Sequence, residues 1–211
     1  MTKPPAGPWV LVVGMHRSCT SAATGALVTL GLNPCRLEDR MDWPESNPEH
    51  WESLSLGLHN ESILAQFDGE WNAPPQFPDD WEIEGDLGDA ADPGGLLAAA
   101  YPEPGPSVWK DPRLCLLLPY WRTVLPPPIA AVLVWRPPLA VADSLFRRDG
   151  LPIADGLALW ERYNRSAIQG LAGVDTFVID YDSLVDDPDR FLGQLADWLG
   201  SMPQFLSLIH I

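Results

Sequence analysis

The stretch that decides the fold is Val10-Leu-Val-Val-Gly-Met-His-Arg-Ser-Cys-Thr-Ser21, an apolar run that becomes a polar loop after Gly14. The apolar run predicts a buried strand, and the pattern after the loop predicts the start of a helix. A strand, a tight turn and a helix start present backbone N–H groups at the positive end of a helix dipole, an arrangement that holds phosphate or sulfate. The loop also offers side-chain donors, namely Arg17, Ser18, Thr20 and Ser21. The stretch therefore predicts an anion-binding loop.

The rest of the chain alternates between strand and helix patterns. Further strands are predicted from residue 107, over 129–135 and over 176–180, and the first strand covers 9–13. Helices are predicted over 20–30, 95–101, 114–125, 139–148 and 155–171, with a last helix that begins at Asp187-Pro188. This alternation predicts the α/β class, as a P-loop-NTPase-like three-layer sandwich with a central parallel sheet.

Length and composition predict one α/β domain over residues 9–200. The chain has 211 residues and a hydrophobic content of 46%, which suffices for a substantial core. Residues 1–8 have no apolar signal region, and no run of about 18 apolar residues could span a membrane. The three cysteines have no metal-ligand spacing and fit a reducing compartment. We therefore expect a cytoplasmic protein with a disordered leader over 1–8, no membrane span and an irregular tail over 201–211.

Charge is concentrated in one region of the chain. The net charge is −16, and residues 41–109 contain fifteen acidic residues without a single Lys or Arg. Nucleic acid is thus excluded as a partner, because it requires a cationic surface. The acidic, aromatic stretch 41–107 is interpreted as a lid or acceptor-binding region, with a surface insertion as the alternative. Within it, a helix is predicted to start at Asn47-Pro48 and to pack through Leu54, Leu58, Ile63 and Leu64.

The loop is not a Walker A motif, because Cys19 and Thr20 occupy the positions of the second glycine and the lysine. GMHRSCTS at 14–21 instead resembles the 5′-phosphosulfate loop GxxRSGTS of bacterial sulfotransferases that use 3′-phosphoadenosine 5′-phosphosulfate. The resemblance implies that Arg17, Ser18, Cys19, Thr20 and Ser21 bind that group. Cys19 is the one departure. If the family's glycine adopts a positive φ, the cysteine costs about 1–2 kcal/mol of strain.

The ends of the predicted strands carry further cationic groups that can converge at one edge of the sheet. Arg136 ends one strand, and Ser144 follows eight residues later. This spacing resembles the element that binds the 3′-phosphate in sulfotransferases, and arginine can bind a phosphate with two parallel hydrogen bonds. By the same resemblance Tyr181, after the last strand, lies near the adenine, and Arg113 orients the loop or contacts the cofactor.

Trp109-Lys-Asp-Pro-Arg113 resembles the KDPR sequence of the same family, which implies that Lys110 contacts the sulfonate and the leaving oxygen. An exposed ion pair with Asp111 is the alternative. Sulfuryl transfer demands positioning and charge neutralisation, as phosphoryl transfer does, but requires no metal ion.

The acceptor hydroxyl also needs a general base. Glu52 is the first candidate, because the family carries a glutamate downstream of the loop and burial would raise its pKa towards neutrality. A solvated helix face is the alternative for this residue. The further candidates are His50 and His59, followed by His16 and Asp111.

Together these residues predict a sulfotransferase that moves a sulfonate from 3′-phosphoadenosine 5′-phosphosulfate to a hydroxyl of a small molecule or carbohydrate, with 3′,5′-ADP as the product. The alternatives are a P-loop kinase that uses ATP, and a nucleotide-binding protein with a decayed site. The last residues, FLSLIHI, look like a translated sequencing-adaptor string. We therefore expect a chain truncated at its C-terminus.

Overall fold

A parallel sheet of four strands forms the centre of the computed structural model, which describes residues 5, 7–41, 50–84 and 92–208. The strands are β1 (Trp9–Val13), β2 (Ser107–Lys110), β3 (Ile129–Trp135) and β4 (Asp175–Asp180). Their order is β2-β1-β3-β4, and Val10 lies between Val108 and Ala130. All carboxyl ends of the strands therefore lie at one edge of the sheet.

Helices connect the strands and cover both faces of the sheet. In chain order they are α1 (Thr20–Thr29), α2 (Leu54–Gln66), α3 (Trp81–Glu84), α4 (Pro93–Ala100), α5 (Leu114–Val124), α6 (Pro138–Asp149), α7 (Ile153–Gly170), α8 (Tyr181–Asp186) and α9 (Pro188–Gly200). Short 3₁₀ helices occupy Leu37–Asp39 and Pro203–Leu208. No helix in these described ranges is long and apolar enough to cross a bilayer.

Successive residues of β1 belong to two different hydrophobic clusters. Trp9, Leu11 and Val13 pack with residues of α2, α4, α5, α6 and α7 on one face. Val10 and Val12 pack with residues of α1, α8 and α9 on the other face. This division follows from the alternation of side chains along a strand. The predicted three-layer α/β sandwich is thereby confirmed.

Several predicted boundaries agree with the structure. Strands β1 and β3 have the predicted limits. Helix α1 ends just before Gly31, which has a φ of 95° that favours glycine. The Asp187 side chain accepts a hydrogen bond from the Arg190 backbone N–H and caps α9 as expected. Local capping chemistry thus fixes these helix ends.

The predicted packing face of α2 is confirmed for Ile63 and Leu64 and is wrong for Leu54 and Leu58. Leu54 and Leu58 are 45% and 62% exposed, whereas Leu56, Ile63 and Leu64 are buried. The predicted start at Asn47-Pro48 lies outside the described residues, and the helix begins after Ser53, whose hydroxyl accepts from the Leu56 N–H. Ser53 also binds the Asp39 carboxylate. This contact joins the start of α2 to the 3₁₀ helix Leu37–Asp39.

Helix α6 buries one face and leaves two large apolar side chains exposed. Leu139 and Phe146 are exposed, and Val141, Ala142 and Leu145 are buried. A Cβ on Gly156 of α7 would lie 3.0 Å from the Ala142 Cβ, so the two helices approach closely through their small residues. This close approach fixes the side of α6 that faces α7.

Two further features were not predicted, and a third, the packing of aromatic side chains in the acidic region, is what the alternative of a surface insertion expects. The short helix α8 follows β4 directly and has Leu184 buried. The tail that was predicted as irregular contains the 3₁₀ helix Pro203–Leu208, and Met202 and Phe205 pack into the second cluster. In the acidic region, Phe67, Trp71 and Phe77 pack against the core and Trp81 is buried in it. The described part of that region is therefore attached to the domain core.

The two leucines of α2 test the corrected face. We expect Leu64→Ala to lower the free energy of unfolding by about 2–5 kcal/mol, because it leaves a cavity at a fully buried position. Leu58→Ala on the exposed face should change it by about 0.5 kcal/mol or less. Urea unfolding of both variants measures the difference, and equal losses would refute the assigned orientation.

Candidate functional site

The loop after β1 turns sharply against β3. A Cβ on Gly14 would lie 2.8 Å from the Val134 carbonyl oxygen and 2.9 Å from the Thr20 methyl group, so no side chain fits there. Arg17 and Cys19 both adopt left-handed conformations, with φ of 67° and 66°. Cys19 is also the N-cap of α1. The loop therefore has the positive φ that the resemblance anticipated, at the position where the family has glycine.

A cavity of about 280 Å³ lies at the carboxyl ends of β1, β2 and β3. Its walls bring together residues from separate parts of the chain, namely His16, Arg17, Cys19, Thr20, Ser21, Ala22, His50, Glu52, Lys110, Pro112, Arg136 and Arg148. Most of the predicted site residues thus meet in one place, as the convergence of parallel strand ends requires.

Arg17 links the loop to both residues of the predicted phosphate element. Its Nε donates to the Ser144 Oγ at 2.9 Å, and its carbonyl oxygen accepts from Arg136 Nη1 at 2.7 Å. The Arg136 guanidinium lies 4.3 Å above the Tyr181 ring, a cation–π contact. Trp160 Nε1 donates to the Arg136 carbonyl oxygen at 2.9 Å. Tyr181 and Trp160 therefore hold Arg136 at the cavity.

Lys110 occupies the opposite part of the cavity and is buried. Its Nζ forms an ion pair with Glu52 Oε1 and donates to the His50 carbonyl oxygen at 3.3 Å. His50 Nδ1 lies 3.5 Å from the same carboxylate oxygen. The alternative of an exposed pair with Asp111 is therefore wrong, because Lys110 is buried and its carboxylate partner is Glu52.

The charge state of Glu52 differs from the expected one. Burial raises the pKa of its carboxyl, but the Lys110 ammonium, which also donates a hydrogen bond, and the nearby His50 ring outweigh that effect and lower the pKa below its ordinary value. The expectation of a pKa raised towards neutrality is thus not met. Glu52 is a carboxylate that is already committed to a cation.

Arg113 points away from the cavity into a group of carboxylates. It contacts Glu61 at 2.6 Å, Asp111 at 2.9 Å and Glu52 at 3.8 Å. Burial lowers the pKa of its guanidinium, but the three carboxylates outweigh this and raise the pKa. Ser18, which belongs to the loop, is 1% exposed and is also buried.

The remaining candidate bases lie in two different environments. His59 Nε2 is 3.1 Å from the Tyr120 hydroxyl, and burial lowers the pKa of this histidine. Asp111 accepts from Asn60 at 2.9 Å and from Arg113. The His59 ring therefore contacts Tyr120 of α5, and the Asp111 carboxylate binds Asn60 of α2 and Arg113.

His16 lines the cavity, and its ring packs against Trp71 with a centroid separation of 4.7 Å. Burial, followed by the charge of Arg113, lowers the pKa of this histidine well below its ordinary value.

Arg148 is a wall residue that the sequence analysis missed. Its guanidinium lies 5.6 Å from the Trp71 ring. It follows Ser144 by four residues on α6, and this i, i+4 spacing was the available signal. With Arg17, Lys110 and Arg136, it gives the cavity a surplus of cations over its wall carboxylate, Glu52.

A larger cavity of about 450 Å³ lies between α3, α5 and α7, with Phe77, Trp81, Arg122 and Arg162 in its walls. The strand-end cations belong to the smaller cavity, which therefore carries the candidate site.

Comparison with protein-family models and with curated protein sequences finds no match. Among solved structures, the chain is similar to the sulfotransferase domain from the curacin biosynthetic pathway, at 15% identity and a TM-score of 0.53, over 100% of this chain and 80% of that one. It is also similar to the sulfotransferase domain of the Synechococcus PCC 7002 olefin synthase, at 16% identity and a TM-score of 0.55, over 99% of this chain and 79% of that one. A third similar structure is sulfotransferase STF9 from Mycobacterium avium, at 15% identity and a TM-score of 0.52, over 99% of this chain and 67% of that one. The chain therefore has the fold of these sulfotransferase structures.

The left-handed conformation of Cys19 leads to a stability test. We expect Cys19→Gly to keep or raise the free energy of unfolding, by up to about 1 kcal/mol, because relief of strain offsets the added chain entropy. Cys19→Val should lower it by more than about 1 kcal/mol, because a β-branched residue tolerates positive φ poorly. Thermal and urea unfolding measure both changes. A glycine variant less stable than the valine variant would contradict the assigned backbone conformation.

The Glu52 pair predicts a specific pH dependence. Because folding lowers the pKa of Glu52, its stabilising contribution is present above its unfolded pKa of about 4.3 and is lost as pH falls towards the folded pKa. Glu52→Gln should cost about 3–5 kcal/mol at pH 7, and this cost should shrink at pH 3. Urea unfolding at several pH values tests this. The control is Glu161→Gln, which removes an exposed pair with Arg165 and should lower the free energy of unfolding by about 1 kcal/mol or less. A cost for Glu52→Gln that stays constant with pH would contradict the pairing.

Proposed function

We propose that the chain is a sulfotransferase that transfers a sulfonate from 3′-phosphoadenosine 5′-phosphosulfate to a hydroxyl of a small molecule or carbohydrate. The observation that carries the proposal is the cluster of cations around the anion-binding loop, in a chain whose net charge is −16. The fold shared with solved sulfotransferase structures supports it. The free thiols of Cys19, Cys35 and Cys115 fit a cytoplasmic location.

The site fits a polyanionic nucleotide in its charge and in its unsatisfied donors. Arg136 Nε is buried without a hydrogen-bond partner, and a buried donor of this kind calls for an acceptor. In the proposal, Arg136 and Ser144 bind the 3′-phosphate, and Tyr181 supports Arg136 beside the adenine. The loop residues Arg17, Cys19, Thr20 and Ser21, which line the cavity, bind the 5′-phosphosulfate. Arg113 affects the site by contacting Glu52, a residue of the cavity wall.

The bound donor supplies an activated sulfonate: a bond forms from the acceptor oxygen to sulfur, and the old S–O bond breaks with its electron pair on the phosphate. Lys110 is assigned to the charge that develops on the departing oxygen, because its ammonium is held at the cavity. The acceptor's proton is assigned to the pair of Glu52 and His50, which lies beside that ammonium. Thr20 replaces the Walker lysine, which separates this loop from that of an ATP-dependent kinase.

Ligand-induced stabilisation tests the class of nucleotide. We expect 3′,5′-ADP to raise the melting temperature, because a ligand at a hundred times its Kd stabilises the folded state by about 2.7 kcal/mol. ATP with Mg²⁺ should give a smaller shift at the same concentration. A shift with ATP and Mg²⁺ but none with 3′,5′-ADP would favour the kinase alternative, and the absence of a shift with 3′,5′-ADP would contradict the proposed function.

Two substitutions separate binding from chemistry. Arg136→Ala should abolish the shift with 3′,5′-ADP, because the variant loses the phosphate contact. Lys110→Ala should retain that shift and lose turnover, because the ammonium acts on the departing oxygen. Arg165→Ala, at an exposed pair on α7, is the control and should leave both unchanged. Equal loss of binding in the first two variants would contradict this division of roles.

A further inference from the structure

Glu52 lies between two cations and is 5% exposed. One carboxylate oxygen pairs with the Lys110 ammonium, and the other lies 3.8 Å from Arg113 Nη1. A buried carboxylate is stable only when it is paired. Both of its oxygens therefore face positive charge.

A continuous set of hydrogen bonds fixes Arg113 behind Glu52. Arg113 binds Asp111, which accepts from the Asn60 amide at 2.9 Å, and Asn60 in turn accepts from Trp121 Nε1 at 2.8 Å. Asn60 and Trp121 are fully buried. The set thus fixes Arg113 to the core of α2 and α5, and Arg113 in turn lies 3.8 Å from the Glu52 carboxylate.

The geometry of the Lys110 ammonium indicates what this fixation achieves. An ammonium has three N–H donors on a flexible stem. Glu52 takes one donor and the His50 carbonyl oxygen takes another. Among the described residues the third donor has no acceptor, so it can reach an oxygen in the cavity, and its direction is set by the other two.

We propose that Glu52 is a positioning residue that holds the Lys110 ammonium in place for the reacting sulfonate, and that it does not take the acceptor's proton. This inference rests on the proposed function for the identity of the reaction. Arg113, Asp111 and Asn60 act one step further back by holding Glu52. The proton then falls to His50, the other member of the pair.

The lowered pKa of Glu52 agrees with this role. An effective general base has a pKa near the working pH, and a carboxylate that two cations stabilise is a weak proton acceptor. Both ring nitrogens of His50 are buried without a hydrogen-bond partner among the described residues, and Nδ1 lies 3.5 Å from the Glu52 carboxylate. The adjacent Glu52 carboxylate can orient the His50 ring through Nδ1, as carboxylates do for catalytic histidines.

The lysine content of the chain makes Lys110 directly measurable. Lys3 and Lys110 are the only lysines of the sequence, so a Lys3→Arg background leaves Lys110 as the sole lysine. Its acetylation by N-hydroxysuccinimide acetate, followed by mass spectrometry, reports how tightly the ammonium is held. We expect Glu52→Gln to accelerate labelling at least tenfold in this background.

Glu61→Gln is the matched control, because Glu61 binds Arg113 but does not contact Lys110. It should change the labelling rate less than twofold. Unchanged labelling in Glu52→Gln, or equal acceleration in Glu61→Gln, would overturn the proposal. Glu52→Asp keeps the charge with one methylene fewer and should also accelerate labelling. It replaces Glu52→Gln if that variant does not fold, and full protection of Lys110 in it would then count against positioning.

A kinetic cycle distinguishes positioning from proton transfer. With an acceptor that the wild type sulfonates, Glu52→Gln should lower kcat, and the double variant with Lys110→Ala should be no slower than Lys110→Ala alone. Losses that multiply would show that Glu52 acts independently as a base and would overturn the inference. The labelling arm needs no nucleotide, so failure of 3′,5′-ADP to bind would refute the proposed function separately.

Discussion

The close contact between Gly14 and the Val134 carbonyl is the constraint on which the site depends. Because no Cβ intervenes, the chain leaves β1 directly against β3 and turns within a few residues. The turn brings the Arg17 carbonyl to Arg136 and the Arg17 side chain to Ser144. The loop after β1 and the pair of Arg136 and Ser144, more than a hundred residues apart in sequence, thereby become one surface.

The sheet could be predicted from sequence more completely than the helix faces. Residues of β1 and β3 are apolar on both alternations, so their burial does not depend on a choice of face. Leu54 and Leu58 share one face of α2 and Leu56 lies on another, and periodicity alone does not select between the two faces. Ser53 caps the start of the helix, and its hydroxyl also donates a hydrogen bond to Asp39 in another segment. Helix α6 shows the same limit, because its inner face follows from close contact with Gly156.

In the candidate site, residue types could be predicted but their pairing could not. Strand ends of a parallel sheet converge, which places Lys110 and Arg136 near the loop by topology alone. The partner of Lys110, in contrast, is Glu52, a residue 58 positions away in sequence. This pairing reverses the net effect of burial on the pKa of Glu52. Arg148 was missed because an arginine at the end of a helix has many ordinary explanations.

The contrast between a cationic cavity and an acidic chain has a kinetic consequence. At low ionic strength the field of the acidic surface extends over tens of ångströms and repels an approaching anion. At about 0.15 M salt the Debye length is about 8 Å, so distant carboxylates are screened while the short contacts inside the cavity persist. Added salt therefore speeds the association of an anionic ligand over this range, the reverse of the behaviour of binding sites on proteins of net positive charge.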